Sequence, residues 1–213
     1  MEEGRITIWE KHLLFRDLCM RASYNVVVAL RNTTVCDDGT YQKEPSNVRL
    51  RGVHAGNDWK PYSGYGVILE NNTAYYDLDS WEVKPYVRPL TAMSDQEKEV
   101  YNKMQWHRKE RFPLDSVEEM DFLIRNHFDV FNLLNYDLAI ELTPENSPYE
   151  PKFKVGDCIL SIYDDMSKYT IENITDGYYI LDQNMQLLVC RQNSWKVCDK
   201  DGMQIKKDAV LED

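Results

Sequence analysis

The chain has 213 residues, of which 43% are hydrophobic and 12% aromatic, and its formal net charge is −11 at pH 7. That length and composition are sufficient to bury the core of one large domain or of two small ones. No apolar run approaches the length of a membrane span, and the start Met1-Glu2-Glu3 is unlike a signal peptide. We therefore expect a cytoplasmic protein with no membrane association.

The negative charge is concentrated in the middle of the chain. Residues 94–150 contain 6 Lys or Arg and 13 Asp or Glu, a balance of −7, whereas the balance is −1 over residues 1–93 and −3 over residues 151–213. This composition argues against binding to nucleic acid, because such binding depends on Lys and Arg neutralising phosphates. Two interpretations stay open for the acidic middle: a solvated helix surface, or an acidic face that binds a basic partner.

A first helix is predicted over residues 7–19, because Thr7 and Glu10 have the spacing of a capping box at its start. The apolar periodicity predicts that one side of this helix is buried and that Asp17 stays on the polar side. The predicted buried side consists of Ile8, His12, Phe15 and Cys19, with Leu14 and Leu18 beside them.

Strand signals follow over residues 25–87 and predict an antiparallel sheet of about five strands with the first helix packed on one face. Residues 25–30 (NVVVAL) form a β-branched run that we expect to be buried on both faces. The last strand is predicted to end at Lys84, because Pro85 and Pro89 lack a backbone N–H and favour a sheet edge or an exit from the sheet.

The acidic middle predicts helices. Ser94 and Glu97 have capping-box spacing and predict a helix over residues 94–108. A second helical stretch is predicted over residues 116–139, with an interruption around residues 126–129. Residues 1–142 are thus expected to form an α+β domain.

The last third of the chain has a different pattern. Residues 143–152 contain three prolines and no periodicity, so they are predicted to be an extended linker. Residues 153–213 contain short strands separated by tight turns, which predict a small all-β, barrel-like domain, either a small barrel or a rolled sheet. The predicted strands are 158–162, 169–174, 178–181, 186–190 and 195–198, with residues 205–211 closing the barrel as a short helical turn.

Two stretches resemble known proteins. Residues 83–104 (VKPYVRPLTAMSDQEKEVYNKM) resemble a segment of uncharacterised proteins from gut Bacteroidetes and their phages, and the resemblance extends to residues 127–129, residues 138–139 and the helix around residues 13–18. It implies an accessory protein of a phage or mobile element in a bacterial cytoplasm, and it implies no reaction. The opening Lys154-Val155-Gly156-Asp157 resembles SH3-like small barrels, which usually bind a partner.

The leading functional hypothesis is a non-enzymatic protein that binds a host or phage protein. Its partner would bind the acidic helical face, represented by Glu97, Glu118, Glu119 and Asp121, or the small barrel. A loop rich in glycine and aromatic residues is a further candidate, either as a recognition loop or as a long hairpin connection. Its mixed polar and aromatic residues are His54, Asp58, Trp59 and Tyr62.

Two alternatives belong to other functional classes. An enzyme could assemble its acids and bases at one end of the sheet from His54, Asp58, Asp77 and Asp79. A single-stranded nucleic-acid-binding module could use Arg49, Arg51 and Trp59 together with aromatic residues of the barrel.

No cofactor or metal is expected from the sequence. The glycine-rich loop lacks the Gly-Lys-Ser/Thr ending of a phosphate-binding loop. His107 and His127, even with Glu110 or Asp129, do not have the spacing of metal ligands. Five cysteines without a Cys-x-x-Cys pair are expected to be small buried residues in a reducing cytosol.

Overall fold

The structure is a computed structural model. It describes residues 6–24, 26–32, 46–55, 65–70, 75–78, 81–110, 115–163, 168–175, 177–182, 185–189 and 195–198. The chain divides into two compact units: Met1–Met93 with Leu123–Leu142, and Ser94–Phe122 with Thr143–Asp213. The predicted end of the first domain at residue 142 is one of the unit boundaries, whereas the helix predicted over residues 94–108 belongs to the second unit.

The predicted α+β class is confirmed. The chain contains three α-helices among its described residues together with two sheets. The helices are α1 (Ile8–Arg21), α2 (Asp95–Glu110) and α3 (Asp115–Arg125).

The first unit contains a six-stranded sheet in the order β4-β3-β2-β1-β5-β6. Its strands are β1 (Val27–Asn32), β2 (Ser46–His54), β3 (Gly66–Leu69), β4 (Tyr75–Asp77), β5 (Trp81–Val87) and β6 (Ile140–Glu141). β1 lies in the middle and is buried on both faces, as its β-branched sequence predicts. The five strands predicted over residues 25–87 pair antiparallel, as expected. A sixth strand that the sequence did not predict, β6, pairs in parallel with β5.

The prediction for the prolines is wrong at Pro85, because β5 continues through this residue to Val87. Pro85 is the last residue of β5 in register with β1, and Tyr86 is the first in register with β6. The strand therefore changes partners at the proline, so the residue without an N–H lies where one register ends and the next begins.

Helix α1 begins as predicted, and its buried side differs from the prediction. The Glu10 N–H donates to Thr7 Oγ1 at 3.2 Å, and the Thr7 N–H donates to Glu10 Oε2 at 2.7 Å, which completes the capping box. The buried residues are Leu14, Asp17, Leu18 and Arg21, whereas Ile8, His12 and Cys19 are exposed. Asp17 lies inside, against the prediction, because Arg21 one turn later supplies a buried counterion.

Helix α3 ends at Arg125, and the interruption predicted around residues 126–129 is present. The helix predicted to continue toward residue 139 is reduced to a short 3-10 helix. His127 has a φ of 61°, and a residue in the left-handed region cannot continue a right-handed helix. A short 3-10 helix follows at Leu133–Tyr136, enclosed by Asn132 and Asp137, which also have positive φ.

The second unit contains a five-stranded antiparallel sheet in the order β10-β9-β8-β7-β11. Its strands are β7 (Cys158–Ser161), β8 (Lys168–Thr175), β9 (Tyr178–Leu181), β10 (Met185–Leu188) and β11 (Trp195–Cys198), close to the predicted bounds. Its inner face packs Phe153, Ile159, Ile171, Tyr179, Leu181, Leu187, Val189 and Trp195.

Of the two predicted forms, the small barrel is wrong, because this sheet stays open in the described part of the chain. β8 pairs with β7 over its first residues and with β9 over its last ones, with an irregularity between Ile171 and Asn173. Such an irregularity bends a strand, as the closure of a barrel requires. In the described strand order, however, β10 and β11 are the two opposite edges of the sheet and are not neighbours. The closing turn predicted over residues 205–211 lies outside the described residues.

The segment predicted as a linker has no helix or strand and is held by the second unit. The Tyr179 hydroxyl accepts hydrogen bonds from the backbone N–H groups of Lys152 at 2.6 Å and Phe153 at 3.1 Å. Tyr179 is fully buried, and burial raises the pKa of its hydroxyl while the two N–H donors oppose that rise. One side chain thus fixes the entry of the chain into the sheet.

We expect Tyr179→Phe to destabilise the second unit by about 1–3 kcal/mol, because two backbone N–H groups lose their acceptor. Urea denaturation combined with amide hydrogen exchange measures the loss, which should be greatest at Lys152 and Phe153. The neighbouring half-buried Tyr178 provides a matched control as Tyr178→Phe. Equal effects of the two variants would contradict this role of Tyr179.

Candidate functional site

Two of the residues proposed for catalysis lie in one row at an end of the first sheet. Gly66 of β3 is in register with His54 of β2 on one side and with Asp77 of β4 on the other. Residues directly opposite in a sheet project to the same face, so His54 and Asp77 share a face across a residue that has no side chain. Their partners in the enzymatic hypothesis, Asp58 and Asp79, lie outside the described residues, as do Trp59 and Tyr62 of the candidate loop.

The basic residues of β2 share an acidic neighbour. Arg49 Nε lies 3.8 Å and Arg51 Nη2 lies 3.4 Å from the carboxylate of Glu70, and both arginines are exposed. Glu70 partly neutralises the two cations that the nucleic-acid hypothesis requires. This weakens the hypothesis, because phosphate binding depends on uncompensated positive charge.

Glu97 does not belong to an exposed acidic face, which corrects the prediction for this residue. Its side chain is 1% exposed, and its Oε2 accepts a hydrogen bond from the Ser94 N–H at 2.8 Å. The Glu97 N–H donates in return to Ser94 Oγ at 3.3 Å, so the predicted capping box of α2 is confirmed. A carboxylate enclosed in this way stabilises the start of a helix and cannot contact a partner.

Two more of the acidic candidates accept hydrogen bonds from tyrosines of the second unit. Glu119 Oε1 accepts from the Tyr101 hydroxyl at 2.7 Å, and Asp121 Oδ2 accepts from the Tyr163 hydroxyl at 3.2 Å. Both carboxylates are only half-buried, and both hydrogen bonds stay within the second unit. Among the four acidic candidates, Glu118 is the one with an exposed side chain.

A cluster of exposed apolar side chains lies at the start of α1, and it includes Ile8, which the sequence predicted to be buried. The rings of Trp9 and Tyr136 meet edge to face with centroids 5.1 Å apart. Ile8 is 61% exposed, Trp9 55% and Tyr136 42%. We call these three residues the aromatic surface. The capping box of α1 fixes Trp9 in the first helical turn, and the 3-10 helix ends at Tyr136, so regular elements hold both rings.

A second cluster is buried and charged, and α1 contributes half of it. Asp17 and Arg21 are both fully buried, with 2.6 Å between Oδ2 and Nε. Arg21 Nη2 donates to the Phe128 carbonyl at 2.7 Å. Asp17 Oδ1 and Arg21 Nη1 are buried with no hydrogen-bond partner in the described part of the chain. Burial raises the pKa of the Asp17 carboxyl, Arg21 opposes the rise, and the nearby carboxylate of Asp129 adds to it.

The other half of the cluster surrounds the segment after α3. The guanidinium of Arg88 lies 4.6 Å from the centroid of the Phe128 ring, and Nη2 of Arg88 donates to the Ala92 carbonyl at 2.8 Å. Asp129 accepts from the backbone N–H groups of Leu133 at 2.8 Å and Leu134 at 3.0 Å. These enclosed groups order the chain between α3 and β6, so we assign the cluster to stability and not to binding.

No protein-family model, curated protein or solved structure matches this chain. Over the residues that the structure describes, no three His, Cys, Asp or Glu side chains come together as a metal site. None of the described helices is long and apolar enough to cross a membrane. What the fold and surface define is an α+β protein of two compact units with an exposed aromatic surface on the first.

Proposed function

We propose that this protein is a non-enzymatic interaction protein and that its partner protein binds the aromatic surface. The observation that carries the proposal is the half-exposed ring pair of Trp9 and Tyr136. Tryptophan and tyrosine are enriched among the residues that dominate binding energy at protein interfaces. Rings held on helical elements lose little conformational freedom on binding, which favours affinity.

The aromatic surface is a better candidate than the acidic face considered from the sequence. Glu97, Glu119 and Asp121 accept hydrogen bonds inside the protein, so a partner would have to break those bonds to use them. Ile8, Trp9 and Tyr136 leave apolar area in water, and its burial by a partner is favourable. The partner we propose is a protein with an apolar pocket that accepts the Trp9 ring.

The resemblance to proteins of gut Bacteroidetes and their phages suggests where this partner is found. We propose that it is a protein of the bacterial host or of the phage, and that the chain acts in the bacterial cytoplasm as an accessory protein. Native lysate of a gut Bacteroidetes strain, with and without phage infection, is therefore the source for capture.

We expect the full-length protein to capture one stoichiometric partner from that lysate. Trp9→Ala should raise the Kd of the purified complex about 30-fold or more, the loss of affinity typical of a hot-spot residue. Tyr136→Ala should weaken it to a smaller extent. Quantitative mass spectrometry identifies the partner, and titration calorimetry measures its Kd against each variant.

Matched controls come from exposed aliphatic residues elsewhere. Val155, at 59% exposure, and Val117, at 64%, are both in the second unit, and Val155→Ala and Val117→Ala should leave Kd unchanged. Thermal unfolding of each variant checks that the fold is retained. Equal binding by Trp9→Ala and the unaltered protein would place the interface elsewhere, and failure of the unaltered protein to capture any partner would refute the proposed function.

A further inference from the structure

Two cysteines that are far apart in sequence come together at one edge of the second sheet. Cys158 begins β7 and Cys198 ends β11, and they stand directly opposite each other in the antiparallel register. Their sulfur atoms are 3.0 Å apart, although 40 residues separate them in the chain. No disulfide joins them in the structure.

The position of this pair fits disulfide formation. Directly opposite residues of antiparallel strands have Cα atoms about 4.5–5.5 Å apart. A disulfide requires Cα atoms about 4.4–6.8 Å apart, so the strands need not move to form one. The adjacent sulfur atoms show that the side chains already turn toward each other.

The two thiols differ in access to solvent. Cys158 is half-buried and Cys198 is 3% exposed. An oxidant therefore reaches the Cys158 sulfur first, while Cys198 lies behind it as the second thiol. Redox-sensitive cysteines often combine a solvent-accessible thiol with a neighbouring resolving one.

We propose that Cys158 and Cys198 are a redox-modification site that forms a reversible disulfide with hydrogen peroxide as the oxidant. The Cys158 thiol gives up its proton, its sulfur attacks one peroxide oxygen, and the O–O bond breaks. Cys158 becomes a sulfenic acid, and the departing hydroxide takes up that proton and leaves as water. The Cys198 sulfur then attacks the Cys158 sulfur, the S–O bond breaks, and the departing hydroxide takes the Cys198 thiol proton and leaves as a second water. Two thiols and one peroxide thus give one disulfide and two waters, and a small dithiol reverses the change.

The disulfide has a structural consequence in the second unit. It joins the edge strand β11 to β7 and encloses β8, β9 and β10 in one covalent loop. Such a loop restricts the unfolded chain, so the oxidised protein should unfold at a higher temperature than the reduced protein. Disulfides of this transient kind occur in reducing compartments chiefly as redox-sensing or catalytic pairs.

The test uses the reduced full-length protein, treated with hydrogen peroxide, alkylated and digested for mass spectrometry. We expect a linked peptide pair that contains Cys158 and Cys198, its disappearance with dithiothreitol, and a higher unfolding midpoint of the oxidised form. With Cys198→Ser, a sulfenic acid should accumulate on Cys158 and react with dimedone. Cys19→Ser is the matched control, because Cys19 is an exposed thiol of the first unit and the linked pair should form unchanged.

Two results would overturn the proposal. They are a wild-type protein whose Cys158 proceeds to sulfinic or sulfonic acid without a linked peptide, and a linkage of Cys158 to Cys36 or Cys190 in place of Cys198. The wild-type digest needs no variant, so a variant that fails to fold does not remove the test.

Discussion

Replacing Arg21 with methionine is expected to lower the free energy of unfolding by about 3–5 kcal/mol at neutral pH, the usual cost of breaking a buried ion pair from one side. The variant leaves the Asp17 carboxyl fully buried without its counterion. It also removes the donor that satisfies the Phe128 carbonyl. Urea denaturation of the full chain measures the loss, and amide hydrogen exchange should assign it to α1 and the segment around Phe128.

The same substitution should have a smaller effect in acid. Burial already raises the pKa of Asp17 above its ordinary value of 3.8, and Arg21 is the group that opposes this rise. Without Arg21 the pKa of the folded carboxyl rises further. A carboxyl whose pKa is higher in the folded than in the unfolded state stabilises the fold in its protonated form. That stability is fully present below the unfolded pKa and is lost as pH rises through the folded pKa. The difference between the unaltered protein and Arg21→Met should therefore shrink as pH falls toward 3.8.

Two further variants separate charge burial from loss of a large side chain. Arg16→Met removes an exposed arginine of the same helix, whose guanidinium lies 5.3 Å from the Phe131 ring centroid, and should cost no more than about 1 kcal/mol. Adding Asp17→Leu to Arg21→Met removes the orphaned carboxyl and should restore part of the lost stability. A double variant less stable than Arg21→Met alone would contradict this account of the cluster.

The features that the sequence predicted correctly depend on residues close together in the chain. The capping boxes of α1 and α2 each need two residues three apart, and both are present. The short strands of the second sheet carry their own alternation and turn residues, so their bounds were predicted closely. Local signals of this kind are complete within a short window of sequence.

The features that were missed depend on distant partners. Arg21 contacts the carbonyl of a residue 107 positions later, so its burial could not be inferred from α1 alone. The i, i+4 spacing of Asp17 and Arg21 is local, and placing that pair on the buried side with Leu18 turns Ile8 toward solvent. Apolar periodicity alone places Asp17 on the polar side and Ile8 on the buried side, the reverse of what the structure shows.

Replacing Gly177 with alanine is expected to cost about 2–4 kcal/mol in the second unit, from two additive causes. Gly177 has a φ of 76°, a conformation that L side chains rarely adopt. A Cβ at this position would also lie 2.8 Å from the Cα, Cβ and carbonyl oxygen of Pro144, closer than such atoms approach. Because these are mostly backbone atoms of a neighbouring segment, the contact is relieved only by moving residues around Pro144 away from the turn between β8 and β9.

Gly156 separates the two causes, because it has a φ of 89° and no atom within 4 Å of a built Cβ. Gly156→Ala should therefore cost only the backbone strain, about 1–2 kcal/mol, and Gly177→Ala should exceed it by the cost of displacing Pro144. The Thr143 N–H, next to Pro144, donates to Asn146 Oδ1 at 2.8 Å. Hydrogen exchange should detect the extra destabilisation of Gly177→Ala as lost protection of this N–H. Equal losses of stability would mean that the segment around Pro144 moves aside at no cost and does not stabilise this turn. A greater loss for Gly177→Ala would mean that the segment predicted as a linker is a packed part of the second unit.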